Sequence, residues 1–186
     1  IIVSEQGKGI RFSEEDVRPM GRNARGVNDI RLDDWDRVAG ADVVLPDDDL
    51  LIITEKGYGK RTPLDEYRRQ YRYGQGVRAM VLTPERTGKI VSARVVTAGD
   101  EVTCISANGI ILRTSTDVIS QQGRSTQGVR VMDLREGDTV ASVAVVREGR
   151  LSQVNGDDEA EGGPAKEAAA KQNGSSQNVP MGDATG

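Results

Sequence analysis

One heptapeptide occurs three times in this chain. Gly26-Val27-Asn28-Asp29-Ile30-Arg31-Leu32 returns fifty residues on as Gly76-Val77-Arg78-Ala79-Met80-Val81-Leu82. It returns again, after a further fifty-two, as Gly128-Val129-Arg130-Val131-Met132-Asp133-Leu134. Each copy is a glycine followed by alternating apolar positions, the period of a strand with one buried face. A repeat near 50 residues restricts the chain to architectures assembled from one supersecondary unit.

The repeat extends on both sides of that core. Upstream, Arg22, Arg72 and Arg124 coincide, as do Val17, Tyr67 and Ile119, and the acids Glu15, Asp65 and Asp117. Arg11, Arg61 and Arg113 coincide, then Gly7, Gly57 and Gly109. Each unit opens on a short apolar run (Ile1–Ser4, Leu51–Thr54, Thr103–Ser106) and closes on a second alternating segment around Ala41, Ala93 and Val143. Four short strands per unit predict an all-β, propeller-like blade, with blades packed face to face around an axis. A lone blade leaves one face uncovered, so several must associate, and three make a partial ring with sticky edges.

Along the chain, residues 1–49, 50–101 and 102–146 read as three blades. Each starts with a hairpin, and Asn108-Gly109 signals a type I′ turn. An irregular or briefly helical connection follows at Glu14–Met20 and its equivalents. Val27–Leu32 reads as the third strand of the first blade. Residues 147–186, rich in Gly, Ala, Asn, Ser and Gln and net acidic, read as a disordered tail that cannot bury enough apolar surface to offset its ordering entropy. Its simplest role is solubilising; competition with a ligand for basic surface is the alternative. The chain opens inside a repeat and not on Met, which reads as a piece of a longer protein.

Catalysis finds little support. There is no histidine and one cysteine, Cys104, in a strand-like run where it serves as a small apolar residue. A single cysteine excludes an internal disulfide and points to a reducing, intracellular compartment. Gly7-Lys8-Gly9 and Gly57-Tyr58-Gly59 are hairpin turns, since no strand-to-helix context makes them phosphate loops. No apolar run approaches membrane-spanning length.

The arginines are the candidate functional groups. Residues 1–146 hold seventeen Arg and four Lys against twenty-two acids, and the second repeat alone is net basic by four. Planar guanidinium suits phosphate, and a repeat that places one arginine on every blade spreads cations along an arc. Arg22, Arg25, Arg72, Arg78, Arg124 and Arg130, in or beside the glycine loop, are the better candidates for nucleic acid. Lys60, Arg68 and Arg69 add to the basic repeat. Arg11, Arg61 and Arg113 serve equally well as partners of nearby acids. Tyr71 and Tyr73 either lie along a sugar-phosphate edge or, more simply, pack. Binding requires basic residues on the rim and the acidic run Asp33–Asp49 elsewhere.

These spacings, and above all Tyr73-Gly74-Gln75-Gly76-Val77-Arg78 and Ser125-Thr126-Gln127-Gly128-Val129-Arg130-Val131-Met132, resemble the C-terminal domain of the bacterial DNA gyrase A subunit. Topoisomerase IV carries a similar domain. The resemblance covers Ile1 to Val146. It implies a β-pinwheel, a propeller whose blades exchange strands and whose rim wraps double-stranded DNA. It further implies, as partners, the remainder of the gyrase A subunit, with the gyrase B subunit in an A2B2 assembly, and a cytoplasmic, nucleoid-associated setting. Negative supercoiling would use ATP and Mg2+ in the parent complex, with no cofactor in this piece. The family's catalytic tyrosine lies in a region absent here, and the gyrase box, Gln-Arg-Arg-Gly-Gly-Lys-Gly, is missing, so topoisomerase IV stays open as an alternative. Of other classes, a propeller-type protein-interaction scaffold and an enzyme with a propeller pocket remain.

Overall fold

A computed structural model describes residues 1–147, and the disorder expected of the tail lies, beyond Arg147, outside the described residues. The first repeat holds β1 (Ile2–Ser4), β2 (Lys8–Ile10) and β3 (Val38–Ala41). The second holds β4 (Asp49–Thr54), β5 (Tyr58–Pro63), β6 (Val77–Arg78) and β7 (Ile90–Val96). The third holds β8 (Glu101–Ser106), β9 (Ile111–Ser115), β10 (Val129–Arg130) and β11 (Val140–Val146). One-turn 3-10 segments at Glu14–Asp16, Leu64–Glu66 and Thr116–Val118 fill the briefly helical connections. Among the described residues no helix is long and apolar enough to cross a membrane.

The hairpins share one turn. The amides of Gly7, Gly57 and Gly109 donate to the carbonyls of Ser4, Thr54 and Ser106 at 3.1, 3.0 and 3.0 Å. The hydroxyls of Ser4, Thr54 and Ser106 in turn accept from the amides of Lys8, Tyr58 and Ile110. Only the glycine is left-handed, with φ near 80° in all three, and Asn108 is not. The type I′ turn expected at Asn108-Gly109 is therefore replaced by a turn that ends on a left-handed glycine, held by the strand-end hydroxyl.

The sheets run β3-β1-β2-β6, β10-β5-β4-β7 and β11-β8-β9, all antiparallel. β6 belongs to the second repeat yet closes the first sheet, with Val77 opposite Gly9 and Arg78 opposite Lys8. β10 belongs to the third repeat and closes the second sheet, with Val129 opposite Gly59 and Arg130 opposite Tyr58. The heptapeptide is thus a donated strand, given by each blade to the one before it. Val27–Leu32 corrects the sequence expectation: it forms no strand, only a bridge from Ile30 to Gly74. The described residues contain no earlier sheet edge to receive it.

Donation needs glycine on the donor. Gly76 and Gly128 have φ of 73° and 74°, and a Cβ would lie 2.6 Å and 2.5 Å from the carbonyl oxygens of Gly9 and Gly59. Backbone meets backbone there with no room for a side chain.

The second sheet is covered on both faces. Leu50 and Ile52 of β4 enter a cluster with Val3, Tyr67, Met80 and Ile90. Leu51 and Ile53 enter a second cluster with Val102, Cys104, Ile119 and Met132. That is why β4 is a continuous apolar run without polar alternation. Burial pushes the Cys104 thiol up to about 11, as fits a packing residue. β3 and β11 each lie against β7 at one edge of the array, and β6 and β10 stand at the opposite edges of their sheets.

Gly128→Ala and Gly26→Ala should separate backbone strain from overlap. Gly26 has φ of 78° but nothing within 4 Å of its would-be Cβ. Its substitution is expected to cost about 1 kcal/mol, and Gly128→Ala about 2 kcal/mol more. Urea denaturation of the two variants measures the difference; equal losses would refute the close-approach account.

Candidate nucleic-acid interface

The repeated arginines face the neighbouring blade. Arg11 donates forward to the carbonyls of Leu64 (2.8 Å) and Tyr67 (3.5 Å) in the second blade. Arg61 repeats the contact onto Ile119 of the third blade (2.9 Å) and pairs with Asp49 at 2.9 Å. Arg72 reaches backward, donating to the carbonyls of Asp16 (2.8 Å) and Asn28 (3.3 Å) and pairing with Asp29. Arg124 repeats this on the carbonyl of Arg78 (3.2 Å), while its amide bonds Glu66. Arg113 has no later blade ahead of it among the described residues, and it pairs with Glu101 of its own sheet, 65% exposed. Arg22, with no earlier blade among the described residues, is exposed.

Arg11, Arg61, Arg72 and Arg124 are therefore inter-blade clamps. Their repetition reflects a repeated docking contact, because each guanidinium donates to a main-chain carbonyl of the neighbouring blade.

Lys60 is the plainest departure from expectation. Read from sequence as a cation for nucleic acid, it is fully buried, on the face that carries Ile10 in the first blade. Its ammonium donates to the carbonyls of Gly123 (2.6 Å) and Arg124 (2.8 Å) and to the Thr126 hydroxyl (3.2 Å). It pins the glycine loop of the third blade from inside. Burial lowers its pKa from 10.5 to about 8. Tyr71 and Tyr73 depart in the other direction. They are exposed, Tyr71 by 88%, while Tyr67 takes the packing role. Burial raises the Tyr67 phenol well above its ordinary value.

Of the cations marked by the sequence, Arg22, Arg25, Arg68, Arg69 and Arg78 are exposed and outside any ion pair among the described residues. Arg130 is exposed beside Asp133 at 3.3 Å. Arg78 and Arg130 stand at equivalent positions on the two donated strands, each on the outer edge of its sheet. The acidic run is largely engaged. Asp36 accepts from the amides of Gln6 and Arg37, Asp42 accepts from Val95 and pairs with Arg147, and Asp49 holds Arg61 and Gln121.

Three cations were missed by the sequence reading. Lys56, Arg86 and Arg135 meet Tyr58 and Arg130 in a cleft between the second and third blades. Arg86 and Arg130 lie 5.2 Å and 5.5 Å from the Tyr58 ring centre, and Arg130 donates to its hydroxyl at 3.3 Å. That bond, then the one from Arg86, lowers the Tyr58 pKa. Arg86 stands in a turn that the repeat alignment leaves unmatched in type, so no sequence signal marked it.

Strand-exchanged antiparallel blades with an arginine on each donated strand define a propeller-type module of the pinwheel kind. The chain belongs to the family described as DNA gyrase C-terminal domain, beta-propeller, whose model matches residues 1–45, 48–97 and 100–147. It is 49% identical over 145 residues to the DNA gyrase A subunit of Haloquadratum walsbyi, covering 77% of this chain and 17% of that protein. It is 48% identical over 148 residues to the same subunit of Kosmotoga olearia, covering 78% and 18%. The chain thus spans under a fifth of the length of these relatives. A solved DNA gyrase A C-terminal domain superposes with a TM-score of 0.69 at 28% identity, over 78% of this chain and half of that one. The C-terminal domain of DNA topoisomerase IV shares the fold, with a TM-score of 0.75 at 22% identity, over 83% of this chain and half of that one.

The clamps give one expectation. Arg61→Ala should destabilise by about 2–4 kcal/mol, since it leaves Asp49 without its cation, held by Gln121 alone among the described residues, and the Ile119 carbonyl without its side-chain donor, whereas Arg113→Ala should stay within about 1 kcal/mol. Thermal unfolding of both variants is the check. Lys60 gives another. Between about 8 and 10.5 the unfolded chain holds a proton that the folded chain has released, so this group makes stability rise with pH across that window. Lys60→Met removes the rise. The stability of the parent relative to the variant should therefore grow by on the order of 1–3 kcal/mol from pH 8 to 10.5. Cys104 and Tyr67 titrate with the opposite sign but cancel in the comparison; a flat difference would refute the assignment.

Proposed function

We propose that this chain binds and wraps double-stranded DNA along the edge formed by its donated strands, as a module of the DNA gyrase A subunit. The observation that carries the reading is the placement of Arg78 and Arg130 at equivalent outer-edge positions on consecutive blades, within a family of gyrase C-terminal domains. Arg22, Arg25, Arg68 and Arg69 extend the cationic edge on adjoining loops. A bent duplex needs cations along an arc, and consecutive blades supply them at intervals.

In the whole enzyme the module would hold a wrapped segment for strand passage. The remainder of the A subunit would supply the catalytic tyrosine, and the B subunit would hydrolyse ATP with Mg2+, giving negative supercoiling in the cytoplasm on the nucleoid. Of the tyrosines of this chain, Tyr67 packs within the blades and Tyr71 and Tyr73 are exposed, and none is assigned the catalytic role. The corresponding role in topoisomerase IV is the second reading, favoured by the shared fold.

The test is binding of the 186-residue chain to a duplex followed by fluorescence anisotropy against salt. The log–log slope is expected at about −4 or steeper, near −0.9 per phosphate contact. Arg68→Ala with Arg69→Ala should weaken binding on every duplex sequence and flatten the slope by about 2. Binding that is absent, or insensitive to salt, would reject the reading in favour of a protein-interaction scaffold.

A further inference from the structure

We propose that the cleft between the second and third blades is the seat of one DNA phosphate, gripped from three turns and a donated strand. The proposal rests on the DNA-binding reading above and adds Lys56, Tyr58, Arg86 and Arg135 to Arg130, which that reading already uses. The cleft holds about 550 Å³, and Lys56, Arg86, Arg130 and Arg135 converge on it around Tyr58. Lys56 comes from the β4–β5 turn, Arg86 from the turn after β6, Arg130 from β10 and Arg135 from the turn before β11.

The donors are aimed and partly free. The Tyr58 hydroxyl accepts from Arg130, which leaves its own proton to donate into the cleft. Arg86 gives one N–H to Gln127, and Lys56 gives one to the Glu85 carbonyl, so both keep others. The lining carboxylates are Glu85 and Asp138, and one oxygen of Asp138 already accepts from the amides of Asn108 and Thr139. Asp133 sits beside Arg130. Four lining cations against two lining carboxylates make this a local positive site in a chain whose net charge is −4. Guanidinium forks, an ammonium and a phenol in an open cleft match the oxygens of a phosphodiester.

The other blade junction shows that this is not a general property of the fold. There the turn Asp33–Asp36 is closed by the Asp36 amide on the Asp33 carbonyl, as the turn Thr83–Arg86 is closed here. Counted from the start of the turn, Asp36 corresponds to Arg86, and its buried side chain caps the amides of Gln6 and Arg37. Lys8, which stands where Tyr58 does, is neutralised by Asp33 at 2.7 Å. The turn after β6 is the longer one, its Thr83 carbonyl also accepting from Thr87 and Gly88, and the corresponding turn positions carry opposite charge at the two junctions. The open cationic cleft lies at the donated-strand edge, where a wrapped duplex would pass.

The experiment compares the 186-residue chain with the double variant Arg86→Ala/Arg135→Ala and with Arg37→Ala, an exposed arginine outside the cleft. Duplex affinity against salt is read by anisotropy, and unfolding temperature confirms an intact fold. The double variant should bind about 5- to 10-fold more weakly at fixed salt, with a slope shallower by about one to two, while Arg37→Ala stays at parental affinity. An unchanged slope and affinity in the double variant would overturn the phosphate seat while leaving DNA binding standing. An equal loss in Arg37→Ala would also overturn it, as a general charge effect. A parental chain that does not bind duplex would remove the DNA reading and the seat together. Amide shifts in the cleft on adding inorganic pyrophosphate, with duplex affinity of the double variant unchanged, would assign the site to free phosphate and refute the DNA seat.

Discussion

Everything in this array depends on the approach of one glycine backbone to another. Gly76 sits against Gly9 and Gly128 against Gly59, so that a two-residue strand from one blade completes the sheet of the blade before it. The hydrogen bonds around the two junctions are copies of each other. The amides of Ala79 and Val131 donate to Gly7 and Gly57, those of Ile90 and Val140 to Glu5 and Glu55, and those of Arg31 and Val81 to Gly74 and Thr126. A blade cannot be completed alone, because its fourth strand is a segment of the next one.

The same logic accounts for the arginines. Connections between blades run through loops whose carbonyls point away from any ladder, and an interior carbonyl without a donor is costly. Arg11 and Arg61 reach forward to loop carbonyls, Lys60 does so from within the core, and Arg72 and Arg124 reach backward at the surface, Arg124 to the Arg78 carbonyl of β6. Repetition of a basic residue here marks a repeated structural need. Groups left to meet an outside anion are those on the donated strands, on the exposed loops and at the cleft around Tyr58. This divides the charge physically: the acids of Asp33–Asp49 cap amides and hold clamps, and the outer edge keeps exposed cations, of which Arg78 is outside any ion pair among the described residues, although the chain as a whole is acidic.

Much of the fold was legible. The fifty-residue period, the hairpin glycines and the alternation of apolar residues report local backbone requirements, and these are met except at Val27–Leu32, whose alternation needs an earlier blade to pair with. The strand-end hydroxyls of Ser4, Thr54 and Ser106 repeat for a reason visible only as a turn bond. The site was less legible. Lys60 and Arg68 look alike in a row of letters, yet one is interior and the other exposed, because the first falls on the sheet face that the next blade covers. Arg86 carried no signal at all, since its significance comes from Tyr58 and Arg130, the latter 44 positions away.

Sequence alone determined the module, its period, its hairpins and the left-handed hairpin glycines, because these are short-range conditions that each residue satisfies within its own unit. Tertiary structure decided which strand completes which sheet, which arginines are clamps and which stay free, and where cations converge on one cleft. Those outcomes depend on contacts between blades, and a side chain's charge is available to a partner only if no neighbouring blade has already used its hydrogen bonds.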